Sequence, residues 1–487
     1  MEISSQVAKQ KNHQLFKWCV VTIYSLISGF FLIRHAMWRD ELQLWLVASK
    51  SQNLAELISN KQLEVRPYLW FLICWVMSRF SRNPEILKTF TFGASLALAF
   101  VIIFRCKNSL LLRIGFLFGF LTLFGYSALS QEYLLGTLIY IIAMLCIQNK
   151  SRHLYILILA SILANTNLLF AIVSIGVAWV PSYLILKDIQ SKHSTRKSDA
   201  FGIPLYLGFF MFSLVSMSPP SNFNFHSTSL SIDLLAFKRM IVAASSALFP
   251  FVKPNRFSEY FWSPFTSLIM ILTITAILVL IICSFKRSTA VGLSSAICMT
   301  GLILWFGIGY ALYWWHFGVL FIAYFGFAVI AIPGWNQTRR IQKLGYALTV
   351  IILVSQSTAL FVGPRLGIFP YKQYSMARDT ASYVKKICED KCTVITNSEV
   401  TGASISAYLE SDTYRPHRDA FGSFAIWNEK VDQRVSWNDL IASAEKFDNP
   451  IFVTSGLENP PHDIKILSEF SGGVWESENF IVSKPIP

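Results

Sequence analysis

The 487-residue sequence predicts a mainly helical, polytopic membrane protein with a small soluble α/β domain at its C-terminal end. Three observations predict it. Only 14% of the residues are charged against 54% hydrophobic, with a mean hydropathy of +0.48, whereas soluble domains carry roughly a quarter charged residues. Apolar runs near the ~20-residue length that crosses a bilayer recur from residue 18 to about residue 363. Beyond that the composition turns polar, and residues 364–487 have the length of an ordinary domain. The expected division is therefore a transmembrane domain at 1–363, with a large first outer loop at 37–67, and an extracytoplasmic α/β domain at 364–487.

Sidedness follows from the basic loops. "KQKNHQLFK" before the first apolar run places the N-terminus in the cytoplasm. Residues 18–36 then cross outward as an anchor, since the run is long and has no small-residue cleavage site. "YLWFLICWVMSRF" (68–80) is too short to span and is assigned to an interfacial or re-entrant helix, while 85–104 is long enough to cross. That choice keeps Arg105, Lys107 and Arg113 inside. Residues 110–128 exit, Glu132 lies outside, and 133–148 return to the basic "QNKSRH". A pair of shorter helices split at "ANTN" (164–167) leads to the basic "KDIQSKHSTRKSD". Residues 201–217 exit into a long outer loop, 218–263. Further spans at 264–285, 289–309, 317–333 and 345–362 frame the basic inner loops "FKRS" and "NQTRRIQK". The total is about eleven spans by apolar length, with the C-terminal domain outside. The net charge of +14 thus belongs to short inner loops, not to a nucleic-acid surface. Arg39, Lys50, Lys61 and Arg66 run against this pattern, because they fall in the first outer loop.

The C-terminal region alternates helix-like and strand-like pieces. "ARDTASYVKKI" and "GASISAYL" suit helices, whereas "TVITNS", "PIFVTSG" and "NFIVSK" suit strands. It has neither a G-x-G-x-x-G nor a Walker motif, so a nucleotide-phosphate loop has no support. Cys388 and Cys392 form a close pair; zinc would want a second pair, which is missing. A disulfide between them suits an oxidising compartment.

The outer face gathers Asp40, Glu41, Glu64, Arg66, Glu132, His226 and His316. Asp40 and Glu41 open the helix-like "LQLWLVA", where the helix dipole and free N–H groups hold a carboxylate ionised. An ionised, oriented carboxylate at an outer cavity is what a general base requires. The bland alternative is an amphipathic helix lying on the membrane with its charges in water. Glu132 stands at the mouth of an outward span, either as a second acid or as an ordinary surface glutamate. Glu64 and Arg66 precede Pro67, which fits a fixed turn carrying a surface ion pair. His316 adjoins Trp314 and Trp315, which suit an interfacial belt. Arg39, Arg66, Arg256 and Arg365 are guanidinium groups whose geometry matches phosphate.

"WRDELQLWLVA", "LEVRPYLWFLICW" and "YSALSQEYLLG" together resemble the GT-C superfamily of membrane glycosyltransferases, such as protein O-mannosyltransferases and lipid A aminoarabinose transferases. The likeness is greatest to an uncharacterised bacterial branch with a tryptophan-rich "DELQ-W-L" opening, and its specific motifs cover the first 140 residues. The resemblance implies a GT-C-like fold in the bacterial inner membrane. It also implies transfer of a sugar from a polyprenyl-phosphate donor to a glycan, lipid or protein acceptor, with inversion, on the extracytoplasmic face. Carried over by position, the leading acid is Asp40, with Glu41 beside it, and the second-loop acid is Glu132. Arg39, Glu64, Arg66, His316 and Arg365 are the substrate and phosphate candidates. Some members set a divalent metal against the phosphate, so Mg or Mn held by Asp40 and Glu132 is a candidate cofactor. Two departures stand out. The family's His/Lys-Pro-Pro appears as Arg66-Pro67-Tyr68, and the arginine that often follows the second acid is missing after Glu132. Two other classes compete: a transporter or flippase of a lipid-linked sugar, and a non-catalytic membrane scaffold. A transporter is expected to hold its ionisable groups near midplane.

Overall fold

The structure, a computed structural model, describes residues 2–62, 64–191, 196–218, 234–250, 266–308, 314–332, 339–365, 373–389, 391–426, 434–457 and 460–486. It is 72% helical with a small C-terminal sheet. Among the described residues, seven helices are long and apolar enough to cross a membrane: Gln10–Arg34, Pro84–Arg105, Leu168–Gln190, Lys197–Ser216, Ser267–Arg287, Thr289–Ile308 and Arg340–Leu360. Shorter apolar helices occupy Tyr68–Ser78, Leu110–Tyr126, Glu132–Gln148, His153–Ala164 and Trp315–Ala331. Tyr68–Ser78 has 11 residues, about 16 Å at 1.5 Å per residue, roughly half a hydrocarbon core.

The breaks have local causes. At "ANTN" the side chain of Asn167 accepts from the Phe170 N–H at 2.9 Å, capping the second helix and ending the first. Asn83 caps the turn Pro84–Ile86 in the same way, with proline in the position that lacks a useful N–H. The expected outer loop 218–263 is partly helical in its described portion, since Leu234–Leu248 forms a 15-residue helix.

The chain folds into two compact units: one of residues 1–32, 91–215 and 228–366, the other of 33–90, 216–227 and 367–487. In the first, long helices pack at small residues. A Cβ on Gly176 would run into Cys298 and the Ser294 carbonyl, so Leu168–Gln190 and Thr289–Ile308 approach closely there. The Ser294 hydroxyl donates to the Gly176 carbonyl at 2.6 Å across this contact.

The second unit is built on a six-stranded sheet of β1 (Thr393–Thr396), β2 (Thr413–Arg415), β3 (Ala420–Gly422), β4 (Pro450–Thr454), β5 (Ile464–Phe470) and β6 (Phe480–Pro485). The spatial order is β3-β2-β1-β4-β6-β5. β1 runs parallel to β2 and β4, and the other pairs are antiparallel. Helices Ala377–Cys388, Glu399–Leu409 and Trp437–Ala444 accompany the sheet, and Ile395, Tyr414, Leu440, Phe452 and Ile464 form a buried core. Cys388 and Cys392 are disulfide-bonded. Residues 33–90, which contain the expected outer loop, belong to this same unit.

Candidate functional site

The acidic pair opens the helix Arg39–Ser49, and its two carboxylates have different fates. Trp38 is extended (φ −109°, ψ 175°) and serves as N-cap. Glu41 reaches back to the Trp38 N–H at 3.3 Å, which is one half of a capping box. The same carboxylate oxygen accepts from His35 Nε2 at 2.6 Å, with both side chains buried. His35 in turn packs edge-on against Tyr374, with ring centroids 4.7 Å apart. Burial pushes the Tyr374 phenol well above its ordinary pKa, and the Glu41 charge adds to that rise. Asp40, one residue earlier, keeps 21% of its side chain exposed, with Arg39 Nε 3.6 Å from Oδ1. Glu41 is therefore committed to the fold, and Asp40 remains accessible.

The rest of the acidic segment is clasped by C-terminal residues of the same unit. The Trp38 ring stacks on Trp475 (centroids 5.3 Å, interplanar angle 13°). The Met37 N–H donates to the Tyr408 hydroxyl at 2.9 Å, and that hydroxyl donates to Glu85 Oε1 at 2.9 Å. Lys88 bridges Glu85 and the His35 carbonyl, each at 2.5 Å. Gln43 pairs with the backbone of Ala425, donating to its carbonyl and accepting from its N–H, both at 2.8 Å. The Gln43 amide also donates to Glu64 Oε1 at 2.7 Å. Glu64 is buried. Arg66 is half-buried.

The loop cations that opposed the topology have partners. Lys50 pairs with Asp412 at 2.7 Å. Lys61 is buried, donates to the Ser216 carbonyl and lies 4.5 Å from the Tyr68 ring centre. Burial lowers its pKa to about 8, against the opposing pull of Glu64.

Two charged sites escape sequence reasoning. Glu399, at the start of its helix, meets Arg415, His417 (2.7 Å) and Arg418 (2.7 Å) in a buried cluster. Burial pushes the Glu399 carboxyl up, but His417, Arg415 and Arg418 outweigh it and hold it below the ordinary value. A Cβ on Gly402 would collide with the Arg415 guanidinium, so glycine leaves the room this cation needs. The second is Glu478, in the turn Glu476–Glu478. It is fully buried and accepts from Ser375 Oγ at 2.6 Å and from Ser404 Oγ at 3.2 Å. Burial raises its pKa to about 7; Ser375, Arg39 and Ser404 pull it down, and Asp40 pushes it up.

In the first unit Glu132 is buried at the start of the helix Glu132–Gln148. Next to it, Tyr133 stacks on Tyr126 at 5.4 Å and lies 6.0 Å from the His316 ring. The Tyr126 hydroxyl donates to the Trp315 carbonyl at 2.8 Å, tying Glu132 and His316 to one aromatic cluster. Arg365 ends the helix Arg340–Arg365 of that unit. His226 and Arg256 lie outside the described residues.

Among the described residues no three His, Cys, Asp or Glu side chains form a group that could hold an ion. Glu41 is engaged by His35 and the Trp38 N–H. No step below runs through a metal. No protein-family model and no curated protein matches the chain.

Proposed function

We propose that the protein is a multi-pass membrane glycosyltransferase of about eleven spans. In this reading it transfers a sugar from a polyprenyl-phosphate donor to an acceptor hydroxyl on the extracytoplasmic face, with Asp40 as general base. The observation that carries the reading is the division of labour in the acidic pair. Glu41 is fixed by His35 and the Trp38 N–H, while Asp40 stays part-exposed at the helix N-terminus beside Arg39.

In the proposed reaction the Asp40 carboxylate takes the proton of the acceptor hydroxyl as its oxygen attacks the anomeric carbon. A new C–O bond forms while the bond to the phosphate oxygen breaks, and the electron pair leaves on the phosphate. Attack from the face opposite the leaving group inverts the anomeric centre, by the logic that separates the two glycosidase classes. Charge grows on the departing phosphate, so a nearby guanidinium stabilises the transition state more than the ground state. Arg39 and Arg66, carried on the same unit as Asp40, are the cations assigned to it. Glu132, His316 and Arg365 are carried in the other unit and enter the proposal only through the resemblance.

The test compares lipids extracted from cells carrying the wild type or Asp40→Asn. A polyprenyl-phosphate sugar that accumulates only in the variant, identified by mass spectrometry, supports the reading and names the donor. Unchanged lipid pools together with unchanged surface glycans, at matched amounts of folded protein, would sink it.

A further inference from the structure

The mechanism above uses no residue of the turn that joins helix Pro84–Arg105 to helix Leu110–Leu117, yet a buried cation stands beside that turn. Arg113, on the second of these helices, is only 8% exposed. Its Nη1 donates to the Ile103 carbonyl at 2.5 Å, and its Nε is buried without a hydrogen-bond partner. Among the described residues it forms no ion pair, and the sequence has no Asp or Glu between Glu85 and Glu132. The buried Arg415, by contrast, has the Glu399 carboxylate. Two simpler roles leave this arrangement partly unexplained. As a cap on the last carbonyls of helix Pro84–Arg105, Arg113 uses one of its five N–H donors. The orientation rule accounts for Arg105 and Lys107, which are exposed, but it gives no reason to bury a third cation next to them. A buried guanidinium is costly unless an anion compensates it.

The surroundings have the character of a headgroup layer. The rings of Trp18 and Phe104 lie 4.8 Å apart, and Lys17 Nζ is 6.0 Å from the Phe104 ring centre. Phe104 immediately precedes Arg105, and Leu111 is exposed on the next helix. Aromatic rings and long cationic side chains beside exposed apolar residues are the pattern of a bilayer interface. The turn itself is held in place. Asn108 Nδ2 donates to the Ala328 and Ile332 carbonyls at 3.2 and 3.1 Å, Ser109 Oγ meets the Tyr346 hydroxyl at 2.9 Å, and Lys107 Nζ donates to Asn149 Oδ1 at 2.8 Å. We propose that this turn binds the phosphate of an anionic phospholipid headgroup, with Arg113 as the buried anchor and Arg105 and Lys107 as the exposed cations. A guanidinium fork matches phosphate oxygens in geometry as well as charge. The exposed apolar neighbours favour a lipid over a free phosphate, because they offer acyl chains a surface. The site stands whether or not Asp40 acts in sugar transfer.

Thermal unfolding of the full-length protein in detergent micelles, titrated with phosphatidylglycerol, phosphatidylcholine or inorganic phosphate, tests the site. The wild type is expected to gain thermal stability with phosphatidylglycerol and not with the other two. Arg113→Gln should weaken the apparent affinity for phosphatidylglycerol roughly tenfold, the loss of one charge-assisted hydrogen bond. That loss should persist at about 0.5 M salt, where exposed charges are screened. Arg113→Lys keeps the charge without the fork and should fall between the two; it carries the test if Arg113→Gln does not fold. Lys286→Gln/Arg287→Gln removes two exposed cations elsewhere in the same unit and should bind as the wild type does at that salt. An equal response in wild type and the Arg113 variants overturns the proposal. So does an equal loss in Lys286→Gln/Arg287→Gln, which would mark a diffuse basic surface. Stabilisation by inorganic phosphate, with none from phosphatidylglycerol, overturns the assignment to a lipid.

Discussion

The two units treat buried polar groups in opposite ways. In the helical unit, Thr137, Ser161 and Ser174 are buried hydroxyls that donate to carbonyls one turn back in their own helices. In the other unit the buried polar groups include the ionisable side chains His35, Glu41, Lys61, Glu64, Glu399, Arg415 and Glu478, and several contacts reach far away in sequence. Gln43 meets Ala425 across 382 residues, and Met37 meets Tyr408 across 371. A helix can satisfy a hydroxyl by itself, so such groups reveal little about function. A buried charge needs a built partner and still pays desolvation, so its location marks where stability has been given up for geometry. That location is the acidic motif and the C-terminal residues around it.

The contrast is broken most severely at the Glu399 cluster. Arg415→Leu leaves a buried carboxylate short of its closest cation and is expected to destabilise this unit by about 3–5 kcal/mol, read by thermal unfolding or limited proteolysis. Ser161→Ala in the helical unit removes one neutral hydrogen bond and should cost about 1 kcal/mol.

Next in size is Glu41→Ala, at about 3 kcal/mol, since it strips His35 of its partner inside the fold. Gln43→Ala follows at about 2 kcal/mol, because both backbone groups of Ala425 and the Glu64 carboxylate each lose the hydrogen bond made by Gln43. The smallest effect belongs to Lys50→Ala. That pair with Asp412 is more than a third exposed on both sides and should contribute under about 1 kcal/mol, falling further with salt.

pH sharpens the comparison, because two carboxyls of one unit have opposite signs. The Glu399 pKa is depressed in the fold, so its stabilisation is present above the ordinary glutamate value of about 4.3 and is lost as pH falls through the folded value. The Glu478 pKa is raised to about 7, so its ionisation costs the fold increasingly as pH climbs from the ordinary value toward 7. Glu478→Gln is expected to flatten that alkaline-side loss of stability in denaturant unfolding followed from about pH 3 to 8, while leaving the acid limb below about 4.3 set by Glu399.

Local features were legible in the sequence and distant ones were not. "TVITNS" and "PIFVTSG" contain β1 and β4, and "NFIVSK" covers β6 except Pro485, because β-branched and aromatic residues mark buried strands. "ANTN" was readable as a break because asparagine caps helices. β2 and β3 have three residues each, too short for any periodicity, and the helix Leu234–Leu248 sits between segments without a clear apolar span. Within the site, Asp40 and Glu41 could be picked out by position, but their separate fates could not. Those depend on His35 six residues earlier, whose local run "RHAMWRDE" was the available signal. Glu478 sits in the polar "WESENF", where nothing in the pattern foretells full burial.

The central claim is that of two adjacent acids one holds the fold and the other acts in transfer. It is tested most directly by measuring sugar transfer per folded molecule, from a polyprenyl-phosphate sugar, in Asp40→Asn and Glu41→Gln side by side. The account predicts that Asp40→Asn folds to wild-type levels, losing under about 1 kcal/mol of helix-dipole stabilisation, and transfers nothing. Glu41→Gln should yield less folded protein whose individual molecules still transfer. Full transfer by Asp40→Asn, with transfer abolished in fully folded Glu41→Gln, would contradict it.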